Sequence, residues 1–175
     1  IGNLFTNRRW KAHLKKSRGK STMASGVTTT SNNSICPRID FDPLITTTFA
    51  LGWFWGPERT FRRVDGVVDV ICVYIGGETI NPTYQSIGDH TEGVTITFDE
   101  KKISFGELVE FFFSKANLTE SCSRSKQYQT GIWWHNDEQK KIVNEKIRLL
   151  EEKNNWNIQI HRGPVTESGI YKAEE

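Results

Sequence analysis

Cysteine is scarce in this sequence of 175 residues, and the cysteines stand far apart. Cys36, Cys72 and Cys122 form no C-x-x-C pair, and this spacing argues against both a disulfide framework and a zinc site. The histidines are scattered as well; they are His13, His90, His135 and His161. The sequence therefore predicts no metal site and no bound cofactor.

Long apolar runs are missing too. No segment reaches the roughly 18 consecutive apolar residues that a membrane-spanning helix needs, so no membrane span is predicted. Hydrophobic residues make up 36% of the chain and charged residues 25%, as in ordinary soluble proteins. The length allows one domain with a sizeable core and an additional segment.

Acidic residues are absent from the first 39 positions, where eight basic residues occur. Removing these eight from the total of 23 leaves 15 basic residues against 21 acidic ones in the rest of the chain. Such asymmetry is typical of a chain with a charged arm. We therefore predict a basic N-terminal extension over residues 1–42, a folded domain over residues 43–163 and a C-terminal tail over residues 164–175.

The basic extension has three possible interpretations. Its polar, acid-poor composition fits a transit peptide, a solvated tail or an arm that binds RNA or an acidic protein surface. We favour the arm, in which Trp10 stacks on bases and the arginines pair with phosphates. The predicted contact residues are Arg8, Arg9, Trp10, Lys11, Lys15, Lys16, Arg18 and Lys20.

Apolar periodicity after residue 43 predicts the order β-α-β-β-α-β-α-β, with the last strand at "WNIQIH". Ser104 and Glu107 form an S-x-x-E capping box for the second helix. The three phenylalanines 111–113 on that helix are expected in the core. This order predicts an α+β fold, a two-layer sandwich with helices packed on a mixed sheet.

Four motifs follow one another in a specific order: G-W-F-W-G at 52–56, G-G-E-T-I-N-P-T-Y at 76–84, H-T-E at 90–92 and Q-Y at 127–128. Together they resemble the peptide-methionine (S)-sulfoxide reductase A family, from about Thr46 to Lys153. The resemblance implies that family's α+β fold, with its ferredoxin-like core, and a pocket for the methionine sulfoxide side chain.

The resemblance also implies roles for individual residues. A thiolate must attack the sulfoxide sulfur, an acid must protonate the departing oxygen, and a pocket must hold the methyl group. Phe54 and Trp55 match the methyl cage, and Glu58 matches an acidic residue in the first helical turn. The residues that match the contacts to the sulfoxide oxygen are Tyr84, Glu92 and Tyr128.

The attacking cysteine of the family is replaced here. Its position, the second of the G-x-F-W-G motif, holds Trp53, whose indole cannot attack sulfur and is expected to fill the space of the substrate. Ser123 and Arg124 stand where the family has an aspartate, and no cysteine follows Cys122.

These differences predict a vestigial pocket in a catalytically inactive domain. With the basic extension, they predict a structural subunit of a large ribonucleoprotein, a mitochondrial ribosome, in contact with rRNA and neighbouring subunits. A cytoplasmic location is the alternative. Two other functions stay open: a peptide-methionine (S)-S-oxide reductase in which Cys122 supplies a displaced thiol, and a protein that binds methionine sulfoxide without reducing it.

Overall fold

The computed structural model describes residues 44–116, 118, 125–166 and 169–174. The predicted basic extension lies outside these residues. In chain order the elements are β1 (Ile45–Leu51), α1 (Trp55–Phe61), β2 (Val67–Ile75), β3 (Thr91–Phe98), α2 (Phe105–Lys115), a 3-10 turn (Lys126–Tyr128), β4 (Thr130–Trp134), α3 (Asp137–Asn154), β5 (His161–Pro164) and β6 (Ile170–Lys172).

The strands form a single mixed sheet in the order β5-β4-β1-β3-β2-β6. β1 pairs antiparallel with both β3 and β4, and β2 pairs antiparallel with β3 and β6. β4 and β5 are parallel. Threonine, valine, isoleucine and aromatic residues dominate these strands, as expected of residues that favour extended backbone. The predicted α+β fold with a mixed sheet is confirmed.

One hydrophobic cluster joins the sheet to all three helices. Phe49 of β1 lies with its ring centroid 4.9 Å from that of Phe112 and 5.5 Å from that of Phe61. Phe111, Phe112 and Phe113 are buried, which confirms their prediction as core residues. Aromatic packing therefore contributes to holding the two layers together.

The ends of the two longer helices follow the sequence signals. Ser104 Oγ accepts a hydrogen bond from the Glu107 N–H at 3.2 Å, and Glu107 Oε2 accepts one from the Ser104 N–H at 3.1 Å, so the predicted capping box is confirmed. Asn136 caps α3 by accepting from the Gln139 N–H. No helix among the described residues is long and apolar enough to cross a membrane.

The C-terminal part of the chain differs from the prediction. The strand predicted at "WNIQIH" lies further along, at His161–Pro164. Residues 170–172, predicted as part of a tail, form β6 and pair with Val73–Ile75. Gly169, just before β6, has φ of 94°, a conformation that suits glycine. The structured domain therefore extends beyond residue 163, and its last strand lies beside β2.

Candidate active site

The corner between β1 and α1 (Gly52–Phe54) is the starting point of the site. Gly52 has φ of 79°, and this left-handed conformation turns the chain out of β1. Phe54 is buried, whereas Trp53 before it is 52% exposed. The Phe54 N–H donates a hydrogen bond of 3.3 Å to Glu92 Oε2. The corner thus directs one aromatic ring inwards and a backbone donor towards a carboxylate.

Glu92 is a fully buried carboxylate in β3, opposite Tyr74 of β2. Its second oxygen, Oε1, accepts from Gln127 Nε2 at 2.9 Å. Both oxygens therefore have donors, as a buried carboxylate requires. Gln127 belongs to the 3-10 turn that also carries Tyr128, so Glu92 connects this turn to the corner.

Two half-exposed tyrosines, Tyr84 and Tyr128, lie near Phe54 and Glu92. The Tyr84 ring stacks on Phe54 with 6.3 Å between centroids. Burial, the charge of Glu92 and a hydrogen bond with Tyr84 raise the pKa of the Tyr128 phenol above its ordinary value. Tyr128 therefore keeps its proton at neutral pH and can donate a hydrogen bond to a sulfoxide oxygen.

The five predicted pocket residues other than Glu58 form one arrangement, which we call the cup: Phe54, Trp55, Tyr84, Glu92 and Tyr128. Phe54 supplies its apolar floor, and the two phenols and Glu92 supply its polar side. Glu58 lies one turn along α1, where Arg62 bonds its carboxylate at 3.1 Å. Glu58 lines the same cavity as Phe54, Trp55 and Tyr84.

Trp53 lies against one residue of the cup. Its ring stacks on Trp55 at 4.8 Å, and the two indoles are 52% and 59% exposed. The expectation that Trp53 fills the space of the substrate stays a prediction. The two rings shield each other from water on the outer surface, which leaves the apolar face of Phe54 to Tyr74 and Tyr84.

A cavity of about 760 Å³ opens beside the cup and shares Phe54, Trp55 and Tyr84 with it. Cys72 lies in its wall and is half-buried, packed against the hydrophobic core. Burial and the neighbouring Glu58 carboxylate raise the pKa of the Cys72 thiol to about 12. Since the thiolate is the nucleophile, Cys72 lies at the site in an unreactive form.

The loop that carries Tyr84 is closed at its base by two consecutive residues. Asp89 accepts from the N–H groups of Glu78 and Thr79, and these bonds hold the pKa of its carboxyl well below the usual range. His90 Nδ1 accepts from the Gly77 N–H, so its Nε2 carries the proton and donates to the Thr79 carbonyl at 2.8 Å. Neither role was predicted from the sequence.

The start of this loop leaves no room for a side chain at Gly77. A Cβ at this position would lie 2.6 Å from Asp89 Oδ1 and 2.7 Å from the His90 ring. Any side chain there would displace the two residues that close the loop. On the outside, Lys126 of the 3-10 turn lies 3.5 Å from Asp89 Oδ2, so the segments with Tyr84 and Tyr128 are linked.

Some predicted positions lie outside the described residues. These are the contact residues of the basic extension (Arg8, Arg9, Trp10, Lys11, Lys15, Lys16, Arg18, Lys20), together with Cys36, Cys122, Ser123 and Arg124. Within the described ranges, no group of three or more His, Cys, Asp or Glu residues is arranged to hold a metal ion.

The family model described as "Peptide methionine sulfoxide reductase" matches residues 45–175. The chain belongs to the peptide methionine sulfoxide reductase A family. This match covers β1 to β6, and it includes the corner, the cup and the C-terminal strand.

Named relatives and solved structures agree with this membership. The peptide methionine sulfoxide reductase MsrA of Methanothermobacter thermautotrophicus is 35% identical over 73% of this chain and 80% of its own length. The MsrA of Sulfolobus acidocaldarius is 38% identical over 71% of this chain and 74% of its own length. Reduced Mxr1 of Saccharomyces cerevisiae superposes with a TM-score of 0.66 at 26% identity, over 79% of this chain and 86% of Mxr1.

These relatives correct the predicted function. The prediction of an inactive structural subunit of a mitochondrial ribosome is wrong, because relatives at 35% and 38% identity are named as reductases and the family model is that of a reductase. The pseudoenzyme, ribosomal, mitochondrial and RNA-binding descriptions lose their basis with it. A binding partner for the basic extension and the location of the protein stay predictions.

Proposed function

We propose that the chain is a peptide-methionine (S)-S-oxide reductase whose attacking thiol is supplied by Cys122 instead of residue 53. The observation that carries the proposal is the assembled cup. Buried Glu92 is held by the Phe54 N–H and the Gln127 amide, beside two phenols and an apolar ring. An unused pocket has no need of a buried carboxylate, which is costly to keep.

The cup matches the chemistry of a sulfoxide. The S–O oxygen is a strong hydrogen-bond acceptor, which the phenols of Tyr84 and Tyr128 can bind as donors. The methyl group can lie against Phe54 and Trp55, which border the same space. Glu92 lies close enough to Tyr128 for its charge to raise the pKa of that phenol, and once it takes up a proton it can pass that proton to the oxygen.

The reaction needs one thiol from the protein and one external dithiol. The cysteine sulfur attacks the sulfoxide sulfur, the S–O bond breaks, and the oxygen ends on the cysteine as a sulfenic acid while methionine is released. A dithiol then reduces the sulfenic acid to the thiol, forming its own disulfide and water. Atoms and electrons balance without a metal or an organic cofactor.

Two cysteines, Cys72 and Cys122, are candidates for this role. At pH 7 a thiol with the pKa of Cys72, about 12, is ionised in only about one molecule in 10⁵. Cys122 precedes Gln127 by five residues, and five extended residues cover up to about 18 Å. The chain is therefore long enough for Cys122 to reach the cup from the 3-10 turn.

The decisive experiment measures reduction of an N-acetyl-methionine-(S)-sulfoxide peptide with dithiothreitol by chromatography. We expect turnover by the native chain, a loss of at least about 100-fold in Cys122→Ser, and little change in the matched controls Cys72→Ser and Cys36→Ser. Binding of the peptide without turnover by the native chain would overturn the reductase in favour of a sulfoxide-binding protein. Loss of turnover only in Cys72→Ser would identify Cys72 of β2 as the nucleophile instead.

A further inference from the structure

The C-terminal strand brings an acidic residue to the cup. β6 pairs with β2 opposite Val73–Ile75, and the Ala173 N–H continues this pairing by donating to the Cys72 carbonyl at 2.9 Å. Ala173 is buried, and the next residue, Glu174, lines the cavity beside Phe54 and Tyr84. Residues 173 and 174 are thus part of the wall of the site.

The Glu174 carboxylate joins two tyrosines that are distant in sequence. Its Oε2 accepts from the Tyr74 hydroxyl at 2.7 Å, and its Oε1 accepts from the backbone N–H of Tyr84 at 3.2 Å. The bond from Tyr74 is the main cause that lowers the pKa of the Glu174 carboxyl. Both hydrogen bonds are therefore made to an ionised carboxylate at neutral pH, which strengthens them.

Phe54 lies against both of these tyrosines. Its ring centroid is 6.0 Å from that of Tyr74 and 6.3 Å from that of Tyr84. Tyr74 is fully buried in β2 and has a fixed position, whereas Tyr84 is 45% exposed in a loop. A bridge between the fixed tyrosine and the loop tyrosine therefore sets where the Tyr84 ring lies on Phe54.

Other contacts hold this loop at its base, at its tip next to Tyr84, and at the Tyr84 side chain, which hydrogen-bonds with Tyr128. Asp89 and His90 hold Gly77, Glu78 and Thr79 at its base, and the Thr83–Ser86 pair closes its tip. Glu174 instead contacts the main chain of Tyr84 from another element. Its contribution is thus distinct from closing the loop.

We propose that Glu174 is a positioning residue that fixes Tyr84 over Phe54 and thereby sets the geometry in which the cup receives a sulfoxide oxygen. One consequence of this inference, weaker binding of the sulfoxide when Glu174 is changed, rests on the proposed function. The tethering of Tyr84 can be tested without measuring turnover. Glu174 acts through Tyr84, and no contact between Glu174 and the substrate is required.

The test uses two readouts on the full chain. The first is hydrogen exchange at the Tyr84 amide by nuclear magnetic resonance, and the second is the Kd of the same sulfoxide peptide from tryptophan fluorescence. In Glu174→Ala we expect exchange and Kd to rise about tenfold each. In Glu174→Gln, which keeps a single acceptor oxygen, we expect a rise of about threefold.

A matched variant separates positioning from strand pairing. Ile170→Ala weakens the packing of β6, since Ile170 packs against the cluster of Ala50, Ile75 and Trp133, and it leaves the carboxylate in place. We expect this variant to lower Tm while changing Tyr84 exchange less than Glu174→Ala does. An equal change in both variants, or exchange within twofold of the native value in Glu174→Ala, would overturn the proposal. Faster Tyr84 exchange in Glu174→Ala, with no peptide binding by the native chain, would support the tether and refute the sulfoxide function.

Discussion

The two sides of the cup are built in different ways. On the oxygen side, buried Glu92 is hydrogen-bonded to the Phe54 N–H and the Gln127 amide, and it belongs to a strand with neighbours on both edges. On the sulfur side, Trp53 and Trp55 stack on each other and are each more than half exposed. One side is part of the core, and the other is part of the surface.

This difference explains how the corner can hold a tryptophan while the rest of the site keeps its geometry. A change at a buried, hydrogen-bonded residue leaves donors without acceptors or creates a cavity. A change at an exposed residue costs little, because water satisfies its surroundings. The attacking position can therefore vary without disturbing Glu92, and a thiol from another segment can serve the same cup.

The largest effect on stability is expected at the floor of the cup. Phe54→Ala removes a ring that is 3% exposed, and we expect the free energy of unfolding to fall by about 3–5 kcal/mol. Urea unfolding followed by circular dichroism measures this change. Phe54→Leu, which keeps most of the apolar volume, is the control and should cost below about 1.5 kcal/mol. Equal stability of Phe54→Ala and the native chain would contradict the conclusion that the cup has a buried side and an exposed side.

A smaller effect is expected at the carboxylate. Glu92→Ala leaves the Phe54 N–H and the Gln127 amide without their acceptor, which we expect to lower the free energy of unfolding by about 2 kcal/mol. Glu92→Gln keeps an acceptor for Phe54, and Gln127 can turn its amide to accept from the new side chain. This variant should therefore be nearly as stable as the native chain.

Activity provides a second test of the two Glu92 variants. Because neither Ala nor Gln can supply a proton, both Glu92 variants should reduce the sulfoxide peptide at least about 100-fold more slowly. The assay is the dithiothreitol-coupled turnover described above. Full activity in Glu92→Gln would show that Glu92 contributes to activity by hydrogen bonding alone and transfers no proton.

The sequence was sufficient to predict much of this site. Phe54, Tyr84, Glu92 and Tyr128 stand in short motifs, and the structure brings them together. The capping box and the aromatic core were also predictable, because local spacing determines both. The four motif residues lie in different segments of the fold, and the resemblance to one family indicated that their motifs belong to one site.

The interactions that were missed join distant elements. Tyr74 and Glu174 are 100 residues apart in sequence, and β6 is only three residues long, so neither periodicity nor a motif indicated their pairing. The position of Cys72 was also not predictable, since an irregularity between Val67 and Asp69 shifts the register of β2 and with it the face on which later residues lie. The direction of the Trp53 ring depends on Trp55, which no local rule specifies.

The smallest effect is expected at the corner itself. Trp53→Ala removes an exposed ring whose aromatic partner in the stack, Trp55, is exposed too, so the free energy of unfolding should change by less than about 0.5 kcal/mol. Urea unfolding followed by circular dichroism provides the comparison, with Trp55→Ala as the matched variant. A loss above about 1 kcal/mol in Trp53→Ala alone would mean that this indole packs into the interior in solution. The sulfur side would then be as constrained as the oxygen side, and a substrate could enter the cup only after Trp53 moved.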